Sequence, residues 1–256
     1  MVSDTIKTLR EIGIKEGDTI FLHSDAIVVS QYSGFGNKKG IISFINYITD
    51  YIGKKGTLIM PTFTYSFSEN VIYDIKNSPS KVGLITEVFR GMPGVIRSPD
   101  PIFSIASYGR DSNQYTSFDP YYCFGDDSSF SLIHKNNCWI IGIGCTLERG
   151  GTFLHYVEKK MKVDYRYEKI FSGVRKLYNG KSQKHEISYF VRDLSRETDL
   201  DLSLLNKKMF YNKKLIRSKI GRILCWGMRA NDCFNYASKL LEIDKLTLIK
   251  ERLQNG

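Results

Sequence analysis

Several familiar signatures are missing from this chain of 256 residues. Its five cysteines form no CxxC pair and no zinc-like spacing, so we expect free thiols in a reducing cytoplasm and no metal site. No segment approaches the roughly 20 apolar residues of a membrane span, and residues 1–17 mix acidic with basic side chains, unlike a signal peptide. A GxGxxG motif, a P-loop and internal repeats are absent. We therefore expect neither a disulfide scaffold nor a membrane protein.

The net charge of +10 is unevenly distributed along the chain. Residues 1–158 hold 14 Lys+Arg against 16 Asp+Glu, whereas residues 159–256 hold 23 against 11, which gives net charges of −2 and +12. A positive field attracts phosphates and repels polycations. The densest cluster lies between Lys207 and Arg222. It is compatible with a nucleic-acid surface or with an ordinary lysine-rich surface, and no recognised nucleic-acid-binding motif accompanies it.

Strands and helices alternate through the first half of the chain, which is typical of an α/β protein. Apolar runs predict strands at 18–24, 56–64, 103–108 and 138–144, and helical periodicity predicts helices at 5–12, 41–52 and 81–90. After residue 162 the pattern is less regular, with strands expected at 190–194 and 221–226 and a helix at about 231–241. No linker is visible. We predict a single domain, residues 1–256, made of two intimately packed halves, roughly 1–158 and 159–256.

The stretch from Gly150 to Glu158 sets a histidine and a carboxylate at the start of a predicted helix. Thr152 is a candidate N-cap, whose hydroxyl would accept the backbone N–H of His155. His155 and Glu158 are three residues apart and would be neighbours on the helix surface. This spacing suits a general base and the group that orients it. A helix-start histidine beside a solvated glutamate would give the same pattern.

Two segments could contact a cofactor or an anion. The strand at 18–24 ends in His23 and Ser24, and ligands in α/β sheets usually lie at the carboxyl ends of strands. The loop that follows contains Gly34, Phe35 and Gly36 and leads into a helix, whose N-terminus could face a phosphate. Lone glycines are equally typical of a plain turn.

Tyr65 and Asp127 are candidates for substrate contacts. Pro61 breaks the strand at 56–64, so that Tyr65 emerges into a loop. Asp127 and its neighbour Asp126 lie in a polar, aromatic loop at 117–130. Paired carboxylates could bind a metal, but a third ligand is lacking. A solvated loop or a helix cap is the alternative for this pair.

Several segments together resemble the antibiotic N-acetyltransferases typified by the aminoglycoside 3-N-acetyltransferases. The matching segments are Phe21-Leu-His-Ser24 with its glycine loop, Gly56-Thr-Leu-Ile-Met-Pro-Thr-Phe-Thr64, the stretch 78–90, Pro93-Gly-Val-Ile-Arg-Ser98, Phe124-Gly125 with Ser128, Thr152-Phe-Leu-His-Tyr-Val-Glu158 and the stretch 165–171. Their order and spacing cover roughly residues 1–175.

The resemblance implies a three-layer α/β/α fold with a central mixed sheet and an enzyme that uses acetyl-CoA as co-substrate. It implies that His155 is the base acting on the substrate amine and that Glu158 orients it. It also implies that His23, Ser24 and the glycine loop hold coenzyme A. Attack on a thioester requires a neutral amine and donors for the oxyanion, and Thr152 is a candidate donor.

Two departures from the family pattern bear on the amine acceptor. Where the family typically has Arg-Ser-x-His-Pro, this chain has Asp100 in place of the histidine, and Asp100 is our third candidate for a substrate contact. The second departure is the basic half, because each like-charge contact at about 4 Å and an effective dielectric near 20 costs on the order of 4 kcal/mol. These features favour an amino sugar linked to a nucleotide. The alternatives are a true aminoglycoside 3-N-acetyltransferase and a non-enzymatic nucleic-acid-binding module.

Overall fold

The fold is seen in a computed structural model that describes residues 1–251. Its strands are β1 (Thr19–Ser24), β2 (Thr57–Pro61), β3 (Tyr73–Asp74), β4 (Ile96–Arg97), β5 (Ile105–Gly109), β6 (Trp139–Ile143), β7 (Arg166–Lys176), β8 (Ser182–Arg192), β9 (Ile216–Ile220) and β10 (Ile223–Arg229). Seven of them form a mixed sheet in the order β4-β5-β2-β1-β6-β10-β9, and β3-β7-β8 form a second sheet. In the larger sheet β2, β1 and β6 are parallel, so their carboxyl ends share one edge.

Helices cover both faces of the larger sheet. They are α1 (Val2–Ile12), α2 (Ile27–Ser30), α3 (Lys38–Ile52), α4 (Leu84–Arg90), α5 (Ser112–Thr116), α6 (Ser129–Lys135), α7 (Leu147–Gly150), α8 (Phe153–Lys160), α9 (Ser203–Tyr211) and α10 (Ala230–Ile243). Successive side chains of β1 point to opposite faces of the sheet, which gives two hydrophobic cores. Phe21 packs with residues of α8 and α10 on one face. Ile20 and Leu22 pack with residues of α1, α3 and α4 on the other. The predicted α/β fold with a central mixed sheet is confirmed.

The region after residue 162 is more regular than the sequence indicated. Strands β7 and β8 are eleven residues each and pair along their whole length, from Arg166 opposite Arg192 to Lys176 opposite Ser182. The strand predicted at 190–194 is only the end of β8. The prediction missed the rest of the hairpin because none of the first five residues of β8 is buried and most of β7 is exposed, so the apolar alternation of a half-buried strand is missing there. The register between β7 and β8 is therefore maintained mainly by backbone hydrogen bonds rather than by a buried apolar face.

The two halves of the chain share the larger sheet. Strand β10, from the second half, pairs antiparallel with β6 of the first half, and β9 extends the sheet beyond it. The assignment of residues 1–256 to one domain stays a prediction. No helix within residues 1–251 is long and apolar enough to cross a membrane.

Candidate active site

A cleft of about 230 Å³ lies at the edge where β1, β2 and β6 end. Segments following each of these strands contribute side chains to its wall. The lining residues include His23, Ser24, Asp25, Pro61, Phe63, Tyr65, Val82, Cys145, Arg149 and Thr152. A larger depression of about 680 Å³, at the opposite edge of the sheet, is lined by Asp50, Lys54, Arg110 and several glycines and holds no histidine or cysteine. The smaller cleft is therefore the candidate site.

A tryptophan fixes the chain between β6 and the helices that follow it. Trp226 of β10 donates its indole N–H to the carbonyl of Cys145 at 2.8 Å. The ring fills the space above Gly142 and Gly150, where an added Cβ would lie 2.1 and 2.6 Å from it. Any larger residue at these positions would displace the indole and the start of α7. The two glycines thus let the sheet position the helices that carry the candidate catalytic pair.

His155 and Glu158 form a hydrogen-bonded pair on α8. The Nδ1 atom of His155 lies 2.8 Å from Oε2 of Glu158. Glu158 is fully buried, whereas the His155 side chain retains 17% of its exposure. The ring of Phe124 meets the imidazole edge to face at 5.5 Å between centroids. The structure brings together the two residues that the sequence predicted as base and orienter; the catalytic role stays a prediction.

Tyr165, just before β7, and Arg166, its first residue, complete this cluster. The Tyr165 hydroxyl donates to Oε1 of Glu158 at 2.9 Å. The Nε atom of Arg166 lies 2.9 Å from Oε2, but its N–H does not point at that oxygen, so the contact is an ion pair rather than a hydrogen bond. Both side chains are buried. A buried carboxylate requires a cation or donors of this kind, but the sequence does not show that Glu158 is buried.

Burial and charge set the protonation of the pair. Burial lowers the pKa of His155, and the neighbouring Arg166 lowers it further, while the bond to Glu158 opposes both effects. Burial alone would raise the pKa of Glu158, but Arg166 and the hydrogen bonds from His155 and Tyr165 hold it below its usual range. The imidazole is therefore neutral and the carboxylate ionised near neutral pH.

Thr152 does not cap α8 as predicted. Its backbone is helical, with φ −55° and ψ −29°, and its side chain makes no capping hydrogen bond. The N–H of His155 instead bonds to the backbone carbonyl of Thr152 at 3.1 Å. The prediction was wrong because α7 leads almost directly into α8, so the chain is already helical at residue 152. The hydroxyl lies at the cleft wall, where its role as an oxyanion donor stays a prediction.

His23 and Ser24 lie at the cleft as the strand pattern predicted. Both Nε2 of His23 and Oγ of Ser24 are buried without a hydrogen-bond partner among residues 1–251. Burial lowers the pKa of His23 to about 3. These two atoms are enclosed by protein, although their residues line the cleft, and contact of either residue with coenzyme A stays a prediction.

The glycine loop precedes α3, which begins at Lys38 rather than at residue 41. Asn37 is its N-cap and accepts the N–H of Gly40 at 2.9 Å. Gly34 has φ +81°, a left-handed conformation that favours glycine, whereas Gly36 is exposed and has room for a side chain. Phe35 is partly buried against the core on the α1 face of the sheet. Contact of this loop with coenzyme A stays a prediction.

The three predicted substrate-binding residues lie in different environments. Tyr65 is at the cleft in a left-handed conformation (φ 55°) unusual for an aromatic residue, and its ring contacts Phe63 and Phe103. Asp127 is exposed. Asp100 is buried, and its carboxylate accepts the backbone N–H groups of two residues, 102 and 103, both at 2.7 Å. Both hydrogen bonds go to Oδ1 and close a buried turn, and Asp100 is not among the residues that line the cleft, so its contact with a substrate stays a prediction.

Sequence reasoning missed Arg149 and Cys145 at the cleft. Arg149 is exposed and makes no ion pair within residues 1–251, so it is a free cation at the rim. Burial raises the pKa of the Cys145 thiol to about 12, so the thiol stays protonated. All five cysteines are free thiols, and no group of three or more His, Cys, Asp or Glu side chains in the described part of the chain is arranged to hold a metal.

Ion pairs reduce the positive field of the basic half near the candidate pair. Arg166 faces Glu158, Lys159 pairs with Glu168, and Arg192 pairs with Asp199. The Lys207–Arg222 cluster lies on α9, β9 and the turns beside them, where Lys214 pairs with Asp232. Except for Glu158, these carboxylates are already included in the net charge of +12, but the pairs show that cations close to His155 each face a carboxylate.

Comparison with known proteins identifies the family. The family model for aminoglycoside 3-N-acetyltransferase matches residues 27–242. The chain belongs to this family. The match extends beyond residue 175, where the resemblance in the sequence ended, and includes both strands of the β7-β8 hairpin.

Individual relatives are distant in sequence. The SPbeta prophage-derived aminoglycoside N(3')-acetyltransferase-like protein YokD of Bacillus subtilis (strain 168) is 23% identical over 187 residues, which is 64% of this chain and only 65% of that protein's length. The apoenzyme of aminoglycoside acetyltransferase AAC(3)-IVa is 21% identical with a TM-score of 0.78, covering 96% of this chain and 90% of its own. AAC-IIIb in a binary complex with CoASH is 19% identical with a TM-score of 0.79, covering 95% and 96%. These structures show that the fold is shared.

Proposed function

We propose that this protein transfers an acetyl group from acetyl-CoA to an amino group of an amino sugar of the aminoglycoside class. The observation that carries the proposal is the buried His155–Glu158 pair at 2.8 Å, beside a cleft at the carboxyl edge of the sheet, in a chain of this family. A neutral imidazole with one nitrogen fixed by a carboxylate is the arrangement that general-base catalysis requires.

His155 is the base in the proposed reaction. Its Nδ1–H donates to Glu158, which leaves Nε2 unprotonated and able to take a proton from the amine. The amine nitrogen attacks the thioester carbon, a C–N bond forms and the carbonyl π electrons move to oxygen. Collapse of this intermediate breaks the C–S bond. The proton held by His155 passes to the departing thiolate, so the products are the acetamide and free coenzyme A.

Coenzyme A is proposed to bind along the cleft that begins at His23 and Ser24. The cleft edge carries the polar residues His23 and Ser24 and the cation Arg149, and a cation there suits an anionic cofactor. The fold relative AAC-IIIb has been solved as a binary complex with CoASH, which supports the assignment by analogy. The glycine loop with Gly34, Phe35 and Gly36 remains our candidate for the pyrophosphate.

The aminoglycoside class is preferred over a nucleotide-linked sugar for two reasons. Fold relatives have been solved in complex with apramycin and with sisomicin, and the family carries the aminoglycoside name. The charge argument against a cationic acceptor is also weakened, because Arg166, Lys159 and Arg192 are each paired with a carboxylate. The cleft wall supplies aromatic rings from Phe63 and Tyr65, on which a sugar ring can lie.

A thiol-release assay with acetyl-CoA tests this function. The acceptor panel should include apramycin, sisomicin and kanamycin-type drugs and, separately, UDP- and dTDP-amino sugars, with a reaction lacking any acceptor as the control for hydrolysis. We expect release with an aminoglycoside and a product carrying one acetyl group by mass spectrometry. Release with nucleotide sugars alone would overturn the acceptor class, and release with no amine in the panel would contradict the proposal as a whole.

A further inference from the structure

Arg166 brings a permanent positive charge into the buried cluster around His155. Its side chain is 1% exposed, and its Nε atom lies 2.9 Å from Oε2 of Glu158. The Nδ1 atom of His155 lies 2.8 Å from the same oxygen. One carboxylate oxygen therefore faces both the guanidinium and the imidazole. A guanidinium stays charged in proteins, whereas an imidazole is charged only after it takes a second proton.

The hydrogen bonds of the cluster give Arg166 a role different from that of its neighbours. Tyr165 donates to Oε1 of Glu158 and His155 to Oε2, so each oxygen accepts a hydrogen bond without Arg166. The Nε–H of Arg166 does not point at Oε2, and its Nη1 atom donates instead to the backbone carbonyl of Phe190 at 3.2 Å. The guanidinium is thus held against β8 and acts on Glu158 through its charge.

Arg166 is also the charge that acts on the pair from closest by. Among residues 1–251, Glu158 forms ion-pair contacts with His155 and Arg166 alone. Arg192 of β8 acts on His155 more weakly than Arg166 does, and Arg192 and Lys159 are each paired with another carboxylate. The remaining ionisable groups around the pair are uncharged near neutral pH because burial raises the pKa of each of them: Tyr165, Tyr189 and Cys123.

The charge balance of the cluster changes when His155 takes a proton. With the imidazole neutral, the charges of Arg166 and Glu158 balance. With the imidazole protonated, two cations face one carboxylate, and they repel each other in a buried site. Without Arg166, the imidazolium and Glu158 would form a buried ion pair that holds the proton. A base that keeps its proton cannot act on the next amine.

We propose that Arg166 is a positioning residue whose charge prevents His155 from retaining the proton that it takes from the amine. This inference rests on the proposed function. In each turnover the proton moves from the amine nitrogen to Nε2 of His155, where the C–N bond forms, and then to the sulfur, where the C–S bond breaks. Arg166 favours the second transfer, because loss of the proton ends the repulsion between the two cations. Arg166 itself exchanges no proton.

A titration followed by NMR tests this role without any acceptor. Arg166→Gln removes the charge, Arg166→Lys keeps it, and Arg192→Gln removes an equal charge from the residue opposite Arg166 in the β7-β8 ladder. We expect the His155–Glu158 pair of Arg166→Gln to take up its first proton at a pH about 1–3 higher than in the wild type, the usual effect of one charge within about 4–6 Å. Arg166→Lys and Arg192→Gln should stay within about 0.5 of the wild type. The chain has four histidines, and His155→Gln identifies the ¹⁵N-histidine signals of His155.

The rate of acetyl transfer should follow the same titration. At pH 7 and saturating acceptor, kcat of Arg166→Gln should be about tenfold or more below that of the wild type, because most of the pair keeps its proton. At pH 9 the ratio should narrow to within about threefold. Titration of the acceptor amine affects both proteins and cancels in the ratio. A merely structural role would give the same deficit at both pH values.

Each contrary outcome overturns the inference. An unshifted titration in folded Arg166→Gln, or an equal shift in Arg192→Gln, would show that the charge of Arg166 does not control the proton on His155. A kcat deficit that stays constant from pH 7 to pH 9 would reduce Arg166 to a structural role.

A second pair of variants covers the case in which Arg166→Gln does not fold. Glu158→Gln and the double variant Glu158→Gln/Arg166→Gln leave no uncompensated carboxylate. His155 should take its proton at a higher pH in the double variant, and an equal pH in the two would overturn the inference. Failure of the proposed function is distinguishable, because a shifted titration in a protein that acetylates no acceptor would contradict that function while supporting the effect of Arg166 on the pair.

Discussion

Replacing Glu158 by Gln removes one negative charge from the buried cluster around His155. The side chain keeps its shape, but Arg166 loses the carboxylate that lies 2.9 Å away. Removing one partner of a buried ion pair costs about 3–5 kcal/mol, because the remaining charge is left uncompensated. For a chain of this size we expect a loss of about 3 kcal/mol, which corresponds to a fall in Tm of roughly 6–12 °C.

The same substitution should slow catalysis without abolishing it. The oxygen of the introduced amide would take the place of Oε2, since an NH₂ group there would lie against the Arg166 cation and the Nδ1–H of His155. The NH₂ would then face the Tyr165 hydroxyl, which can accept. His155 therefore keeps Nδ1–H, the form that acts as a base. What is lost is the attraction between carboxylate and imidazolium, about 1–2 kcal/mol more than a neutral hydrogen bond. We expect kcat to fall about 5–30-fold.

Urea unfolding and steady-state kinetics measure the two effects, with Arg166→Gln and the double variant Glu158→Gln/Arg166→Gln as matched controls. Because the double variant removes both charges, its loss of stability should be smaller than the sum of the single losses by at least about 1 kcal/mol. A Glu158→Gln protein with wild-type stability and wild-type kcat would refute the ion-pair and orientation argument together. Strict additivity would refute the coupling of Glu158 to Arg166.

Three further substitutions test individual positions. Thr152→Ala should change the free energy of unfolding by less than about 0.5 kcal/mol, because the hydroxyl makes no capping bond; a loss above about 1 kcal/mol would restore the capping role. Gly36→Val should fold, because the position has room for a side chain. If the loop contacts coenzyme A, the added side chain should raise the KM for acetyl-CoA; an unchanged KM would make the loop a plain turn. Burial raises the pKa of Asp100 to about 6, so the folded protein binds a proton at this carboxyl more tightly than the unfolded chain does. The free energy of unfolding of the wild type, relative to that of Asp100→Asn, should therefore decline as pH rises from about 4 to 6. A pH-independent difference between the two in urea unfolding would contradict this.

The sequence predicted the elements whose periodicity is strong. The buried strands at β1, β2 and β6 are apolar on both faces, and the helix at α8 carries its histidine and carboxylate at a spacing that only a helix brings together. The β7-β8 hairpin escaped prediction because its strands are largely exposed and polar, so only long-range backbone pairing reveals them. The apolar and polar pattern within a short segment cannot predict pairing between strands.

The candidate site was predictable in its central pair and not in its support. Tyr165 and Arg166 follow α8 closely, yet nothing local shows that Glu158 is buried and needs them. Asp100 was assigned to the substrate from its place in the family pattern, whereas its carboxylate closes a buried turn. The net charge of residues 159–256 likewise carries no information on position, and it could not show that a cation near His155 such as Lys159 faces a carboxylate.

The rate of acetyl transfer by His155→Ala tests the central claim most directly. With the acceptor identified by the thiol-release assay, kcat should fall about 10²–10⁴-fold while the Kd for CoASH stays nearly unchanged, because the imidazole acts on the amine and not on the cofactor. The deficit should shrink as pH rises through the pKa of the acceptor amine, where less depends on a base; a constant deficit would assign His155 to positioning instead. A folded His155→Ala protein that acetylates the acceptor at the wild-type rate would contradict the mechanism.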